Sequence, residues 1–363
     1  MKAAVCYESG KPLVVEEIEI DPPKKGEVKI RLVATAICHS DIHLIQGAWG
    51  EVAPVVAGHE AAGVVEEVGE GVATVKHGDR VVMSLLRSCG RCFYCATGSP
   101  HLCEGSFALN TESRLRNKSG EPIRQGLATA AFAEYAVVDQ SQVVKVPDEM
   151  PLDRAALLAC GVITGYGAVV NTAKVRPGSS VVVIGAGGVG LNAIQGAAIS
   201  GAYPILAVDL LENKLAAAKA FGATHTANAS EPETVVKTIK DLTSGRGANY
   251  VFATVGSSKA IAQGLDLLRK RGTLIIVGIP EVTATIPLPV AYHVMAERSV
   301  IGSLMGSTRL SVDIPRLVQL YQSGRLKLDE LITARYSLEQ INNAIASTER
   351  GEALRNVIVI SPD

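Results

Sequence analysis

Apolar positions change their spacing once along the chain, near residue 178. Before that point they form short β-type runs broken by glycine and proline: EVKIRLVAT, GVVEEVG, DRVVMSL, FAEYAVV and QVVKVP. Strand signals at this spacing predict a barrel-like or sandwich domain. Beyond it, SSVVVIG reads as a strand, GVGLNAIQGAAISGA as a helix and PILAVD as a second strand. The following LLENKLAAAKAFGA places Leu211, Leu215 and Ala218 at helical spacing. A helix over 232–243, strand YVFATVG, helix KAIAQGLDLLRK and strand GTLIIVG complete the run. Apolar strands that do not alternate, set between helices, predict a parallel sheet covered on both faces. From about 305, IPRLVQLYQSG and LEQINNAIAST read as helices and NVIVI as a last strand that rejoins the first domain. The stretch 104–128 is polar and poorly patterned, which predicts a surface loop.

Length and charge narrow the class. A chain of 363 residues exceeds what one hydrophobic core holds, so two domains are expected. The net charge of −1 argues against a nucleic-acid or anionic-membrane partner. The stretch 179–208 is apolar enough to suggest a membrane span, but its glycines, Asn192, Gln195 and Pro204 divide it into strand, turn, helix and strand. MKAAVCYESGKPLVV meets charge and glycine too early for a secretory signal. Seven cysteines then read as reduced thiols or metal ligands in a cytoplasmic enzyme. Cys6, in AAVCYE, reads as a small buried hydrophobe.

The first chemical signal is GAGGVG, residues 185–190, lying between a predicted strand and a predicted helix. Gly185 permits a tight turn, Gly187 lets backbone approach a pyrophosphate, and Gly190 lets helix pack on strand, with Gly188 and Val189 between them. The helix N-terminus offers free N–H groups to phosphate. Asp209 ends the next strand, where a carboxylate accepts both ribose hydroxyls and repels a 2′-phosphate. Lys214 lies within reach of the same ribose. NAD is expected rather than NADP, although Asp209 is also placed to cap the helix that follows.

Two groups of cysteines carry metal chemistry of different kinds. Cys89, Cys92, Cys95 and Cys103 offer four thiolates within fifteen residues. Four thiolates fill a tetrahedral zinc site and leave no position for substrate. The spacing differs from ferredoxin patterns. Arg87, Arg91, Arg114, Arg116 and Lys118 rim this segment, which raises a nucleic-acid-binding zinc lobe as a non-enzymatic reading; one basic loop on a neutral chain is more often a solvated face. Cys38 in ICHSDIH, His59 and Glu60 in AGHEAAG, and Cys160 in LACGVITGYGA are scattered. Two thiolates and one imidazole make a three-ligand catalytic zinc site with its fourth position open.

The order of CHSDIH, GHEAAGVVEEVG, GDRV, the four-cysteine lobe, ACGVITGYGAVV and VVVIGAGGVGLNAIQ resembles the zinc-dependent alcohol dehydrogenases of the medium-chain dehydrogenase/reductase superfamily, over essentially the whole chain. The resemblance implies an α/β protein with a GroES-like catalytic domain, 1–161 and 305–363, bearing a structural zinc lobe at 87–105. It implies a doubly wound Rossmann domain over 162–304. It implies two zinc ions per chain, one catalytic on Cys38, His59 and Cys160, with Glu60 close behind it as an alternative ligand or support. Ser40 matches the hydroxyl that hydrogen-bonds the substrate oxygen, and His43 the histidine that passes the proton onward to solvent. His39 lies near the coenzyme pyrophosphate, and Arg355 resembles a further phosphate contact. Trp49 and Leu85 line an apolar pocket for aliphatic or aromatic alcohols and aldehydes. Members are homodimers or homotetramers, and the length of 104–128 points to a dimer.

The resemblance also brings its rivals. Glutathione-dependent formaldehyde dehydrogenases carry an arginine at the position of Phe107, usually tyrosine at His43, and an acidic residue near Trp49; all three departures disfavour a glutathione adduct. A nicotinoprotein, which holds its coenzyme without exchange, stays open.

Overall fold

The computed structural model describes residues 1–363. The chain divides into two compact units, Met1–Cys160 with Arg309–Asp363, and Gly161–Thr308. The second boundary falls after Thr308 rather than at 305, because the turn Met305–Ser307 is bound to the second unit. A Cβ added at Gly306 would lie 2.2 Å from the Ile163 carbonyl oxygen, and Thr308 Oγ1 donates to that oxygen at 3.4 Å.

The first unit is β-rich, with two sheets. The larger is ordered Val143–Lys145, Arg80–Met83, Glu60–Val68, Glu27–Ala36, Arg355–Val359 and Ile332–Tyr336, with Tyr135–Asp139 also paired to Glu27–Ala36. Along Glu27–Ala36, Val28, Ile30 and Leu32 are fully buried while Lys29 and Arg31 are half-exposed, the alternation of a strand with one face in a core. They pack with Val65, Val81, Met83 and Val138. From Leu32 onward the alternation stops and every residue to Cys38 is buried. The strand thus delivers its last residues into the interior.

The stretch 104–128 is a surface loop only in part, with 104–113 and 117–121 largely exposed or half-exposed. It supplies the strands Leu115–Arg116 and Pro122–Gln125 of the second sheet, too short to show a period. Arg114, expected on a solvated rim, is 1% exposed, and its Nε and Nη2 donate to the two Glu27 oxygens at 2.9 and 2.6 Å. A two-pronged pair satisfies both buried charges at once.

The second unit holds a six-stranded parallel sheet ordered His225–Asn228, Ile205–Asp209, Val181–Ile184, Ala248–Ala253, Leu268–Ile276 and Ser299–Gly302. This is the doubly wound order, with the direction of winding reversing between Val181–Ile184 and Ala248–Ala253. All four residues of Val181–Ile184 are buried, as a central strand covered on both faces requires. The apolar stretch 179–208 forms a strand, the helix Gly188–Ile199 and the next strand of this sheet. The one helical run long and apolar enough to cross a membrane is Leu152–Thr172, and 78% of its apolar window is buried inside the fold.

Two candidate metal sites and a dinucleotide turn

Three strand ends in the first unit deliver side chains to one point. Ala36 pairs with Glu60 in one direction and with Val357 in the other. Two residues past Ala36 comes Cys38, which caps the helix His39–Ile45. His59 and Glu60 open the strand Glu60–Val68, and Arg355 opens Arg355–Val359. Cys160 arrives from a widened, π-type helical turn, Leu158–Val162, of the kind that often marks a functional position. The ligand atoms of Cys38, His59, Glu60 and Cys160 all lie within 4.8 Å of one another, and all four residues are buried.

The surroundings orient this set. Asp41, 0% exposed, takes the Nδ1 proton of His59 at 2.8 Å and the backbone N–H of Gly58 at 2.9 Å on Oδ1. Its Oδ2 accepts the Cys38 N–H at 3.3 Å. With Nδ1 committed, Nε2 of His59 is buried without a protein partner. Arg355 donates to Glu60 Oε2, and Oε1 has no partner. Ser84 Oγ donates to the Ala159 carbonyl at 2.6 Å, and Thr129 Oγ1 to that of Gly58 at 2.7 Å, each beside a ligand. Sequence reading passed over Asp41, Ser84 and Thr129. Only Asp41 left a signal, the spacing Cys38–Asp41 of a reciprocal helix cap.

The electrostatics describe a cation site. The bond from the Cys160 thiol, more than any other cause, pulls the Cys38 thiol well below its ordinary range, against burial; the same bond and burial raise Cys160. Burial opposes charge on His59, but Asp41 and the Cys38 thiolate outweigh it and raise the imidazole. Burial pushes the Glu60 carboxyl up against the pull of Arg355. Two thiolates and an unpartnered imidazole nitrogen, packed this closely and this deeply, are the donor set of zinc. The residues fit the ion.

The second set is shallower. The ligand atoms of Cys89, Cys92, Cys95 and Cys103 also lie within 4.8 Å of one another, in half-exposed residues. Backbone N–H groups point at sulfur: Cys89 and Gly105 to Cys103 Sγ at 3.2 Å, Cys92 to Cys89 Sγ at 3.3 Å. Such bonds, from Cys95 N–H first, bring the Cys92 thiol down to about 6, while burial and its ionised neighbours hold Cys95 up at about 12. A Cβ on Gly105 would fall 2.7 Å from Cys89 Cβ and 3.1 Å from its sulfur, so the loop closes tightly over the cluster. Zinc fits here as well, fully enclosed by thiolate.

Around the first set, Ser40 is half-buried, while His39 and His43 are exposed on the helix that Cys38 caps. The His43 ring lies 5.9 Å from that of Trp49, which is 39% exposed. Leu85 is half-buried and follows Ser84 directly.

In the second unit the three glycines do different work. Gly185 has φ +93°, and a Cβ there would sit 2.5 Å from Val255 Cγ1. A Cβ on Gly190 would lie 1.8 Å from the Gly185 oxygen. One on Gly187, which caps Gly188–Ile199, would meet nothing within 4 Å, so this glycine leaves room on the outer side of the turn. Asp209 Oδ2 accepts the Ala186 N–H at 2.6 Å and Oδ1 that of Leu211 at 3.0 Å, tying the second strand to the turn. Lys214 is buried on the following helix, and desolvation lowers its ammonium against the pull of Asp209.

The chain is similar to known proteins over its whole length. A family model described as the alcohol dehydrogenase GroES-like domain matches residues 24–148, and one described as zinc-binding dehydrogenase matches 188–323. An NDMA-dependent alcohol dehydrogenase of Amycolatopsis methanolica is 42% identical over 371 residues, covering 100% of this chain and 99% of its own. The crystal structure of an alcohol dehydrogenase zinc-binding domain protein from Burkholderia ambifaria superposes with TM-score 0.95 at 38% identity, and benzyl alcohol dehydrogenase from Acinetobacter calcoaceticus with 0.93 at 34%. Each covers 99% of both chains.

Proposed function

Since the chain belongs to the zinc-type alcohol dehydrogenases of the medium-chain dehydrogenase/reductase superfamily, we propose that it interconverts primary alcohols, aliphatic or aromatic, and their aldehydes, with NAD as hydride acceptor. The observation that carries this reading is the convergence of Cys38, His59 and Cys160 around an imidazole nitrogen with no protein partner. Cys38, His59 and Cys160 would hold a zinc ion that would supply Lewis acidity toward an alcohol hydroxyl, and the Gly185–Gly190 turn would hold NAD, which would supply the hydride acceptor. The chain's own residues manage the proton and the pose. Ser40 accepts the hydroxyl proton and donates its own onward, because a hydroxyl does both. His43, exposed beside Trp49, releases it to solvent. Glu60 and Arg355 form a buried pair behind the ligands, and Arg355, with His39, contacts coenzyme phosphate. Asp209 and Lys214 hold the ribose, and Trp49 and Leu85 line the substrate's apolar side.

The second zinc, on Cys89, Cys92, Cys95 and Cys103, shapes its loop and does no chemistry. The enzyme works in the cytoplasm on small molecules, with no nucleic-acid or membrane partner. It assembles as a homodimer or homotetramer, supported by the edge strand Ser299–Gly302 and the exposed Val282, Val290, Val294 and Met295 nearby. One relative favours a second reading, in which NAD is kept through turnover and an external acceptor reoxidises it; the Amycolatopsis protein is NDMA-dependent.

A panel of alcohols and aldehydes with NAD and NADP, each with and without glutathione, tests the main reading. NADH formation from primary alcohols without glutathione is expected. Activity that appears only with formaldehyde plus glutathione overturns it. The second reading is settled on the purified protein after heat denaturation: stoichiometric NAD in the supernatant supports it, and none removes it.

A further inference from the structure

The first unit contains a cavity of about 1000 Å³ whose charged wall the reading above does not use. Leu85, Leu109 and Leu127 form apolar wall, while Glu51, Glu112, Arg87 and Arg124 bring charge. Both carboxylates are already engaged. Glu51 accepts from Ser9 Oγ and from the Val52 and Ala53 N–H groups at 2.9 to 3.1 Å. Glu112 takes Lys24 Nζ and Arg114 Nη1, each at 2.8 Å. Neither arginine has an ion pair. The Arg87 guanidinium stacks 4.8 Å over the Phe107 ring, and its Nη1 is buried with no hydrogen-bond partner. Asp139, whose charge acts on Arg87, accepts on Oδ1 from the Ser141 N–H and Oγ–H at 2.9 and 2.6 Å. Nη1 is closed off from the cavity itself, so a carboxylate entering there would meet the accessible part of the half-exposed Arg87 side chain, which has no ion-pair partner of its own.

Two stretches of this wall are adjacent in sequence to residues that brace the candidate metal ligands. Leu85 follows Ser84, whose hydroxyl donates to the Ala159 carbonyl next to Cys160. Leu127 and Ala128 precede Thr129, whose hydroxyl donates to the Gly58 carbonyl next to His59. We propose that this cavity receives the far end of the alcohol, and that Arg87 binds a carboxylate carried there, with Arg124 adding attraction from its exposed position. The proposal rests on the alcohol dehydrogenase reading and narrows it to alcohols with an apolar body and an anionic tail. Stacking on Phe107 holds the guanidinium plane, so a carboxylate would meet it in a fixed orientation.

Kinetics on the zinc-loaded enzyme compare benzyl alcohol with 4-(hydroxymethyl)benzoate, which differ only by the carboxylate. Wild type should favour the carboxylate in kcat/KM by roughly tenfold or more, through KM, as expected of a charge-assisted bond. Arg87→Gln should abolish that preference, and Arg124→Gln should reduce it. Calorimetric titration with 4-methylbenzoate, which has no hydroxyl to oxidise, reads the site without turnover. It should bind wild type, weaken with salt, and weaken more in Arg87→Gln than in Arg87→Lys. The exposed Arg124→Gln keeps the test open if Arg87→Gln does not fold. Equal kcat/KM for the two alcohols, or 4-methylbenzoate binding that is absent or indifferent to both arginines, overturns the subsite while benzyl alcohol turnover keeps the enzyme reading. Arg87-dependent binding without turnover of either alcohol does the reverse.

Discussion

Asp41 Oδ1 takes the Nδ1 proton of His59 at 2.8 Å, while the other oxygen of the same carboxylate accepts the Cys38 N–H. One buried acid therefore orients two residues of the candidate metal set and fixes which imidazole nitrogen is left for an ion. Asp41→Asn keeps the shape but lets the amide donate where the ring needs an acceptor. Zinc affinity at this site should fall by about 10- to 100-fold, the usual cost of losing such a partner. Chelator competition, with zinc counted per chain, measures it. Unchanged affinity would show that Asp41 only caps its helix.

Metal loading should release protons. In the metal-free site, the bond to Cys38 and burial raise the Cys160 thiol, and Asp41 and the Cys38 thiolate outweigh burial to raise the His59 imidazole. Both groups sit above their ordinary values, so both keep protons near neutral pH that the ion must displace. Affinity should therefore rise with pH and fall as pH drops. A weakly buffered titration with a pH indicator reads the release, and a pH-independent zinc affinity contradicts the assignment.

The two metal sites were not equally legible. Four cysteines at short intervals announce their convergence locally, because one loop brings them together. Cys38, His59 and Cys160 do not, since their meeting depends on the register of Ala36 with Glu60 and on a helical turn a hundred residues away in sequence. Resemblance to a family supplied that set. Arg114 read as a surface residue because arginine is almost always exposed. Its burial depends on Glu27, 87 residues earlier, and no local pattern records such a pairing. The four inner strands of the parallel sheet were legible as unbroken apolar runs, but the edge strands His225–Asn228 and Ser299–Gly302 were not, because most of their residues are half-exposed or exposed.

The glycines of the dinucleotide turn should separate binding from folding. Gly190→Ala places a Cβ 1.8 Å from a backbone oxygen that cannot step aside, so the melting temperature should fall sharply or the protein should fail to accumulate. Gly187→Ala meets nothing in the protein and should melt like wild type. Its methyl group occupies the space that backbone approach to a pyrophosphate needs, so NAD affinity should drop at least several-fold. Calorimetry and NAD titration decide, and a Gly187→Ala protein with normal NAD affinity would move the coenzyme elsewhere.

The Glu27–Arg114 pair offers the last test, because burial makes its two halves unequal to their sum. Side chains 5% and 2% exposed hold each other at 2.6 Å, and Glu112 and Lys24 continue the chain of charge to the surface. Arg114→Met leaves the Glu27 carboxylate buried with only its backbone contact to Lys24, at 2.9 Å. The cost should be about 3 to 5 kcal/mol in chemical denaturation. Glu27→Gln alone strands the guanidinium in the same way, though Glu112 still pairs with Nη1 and should soften the loss. Glu27→Gln with Arg114→Met removes both charges, so the double variant should be more stable than Arg114→Met alone. Strict additivity of the two losses would mean that the charges do not depend on one another.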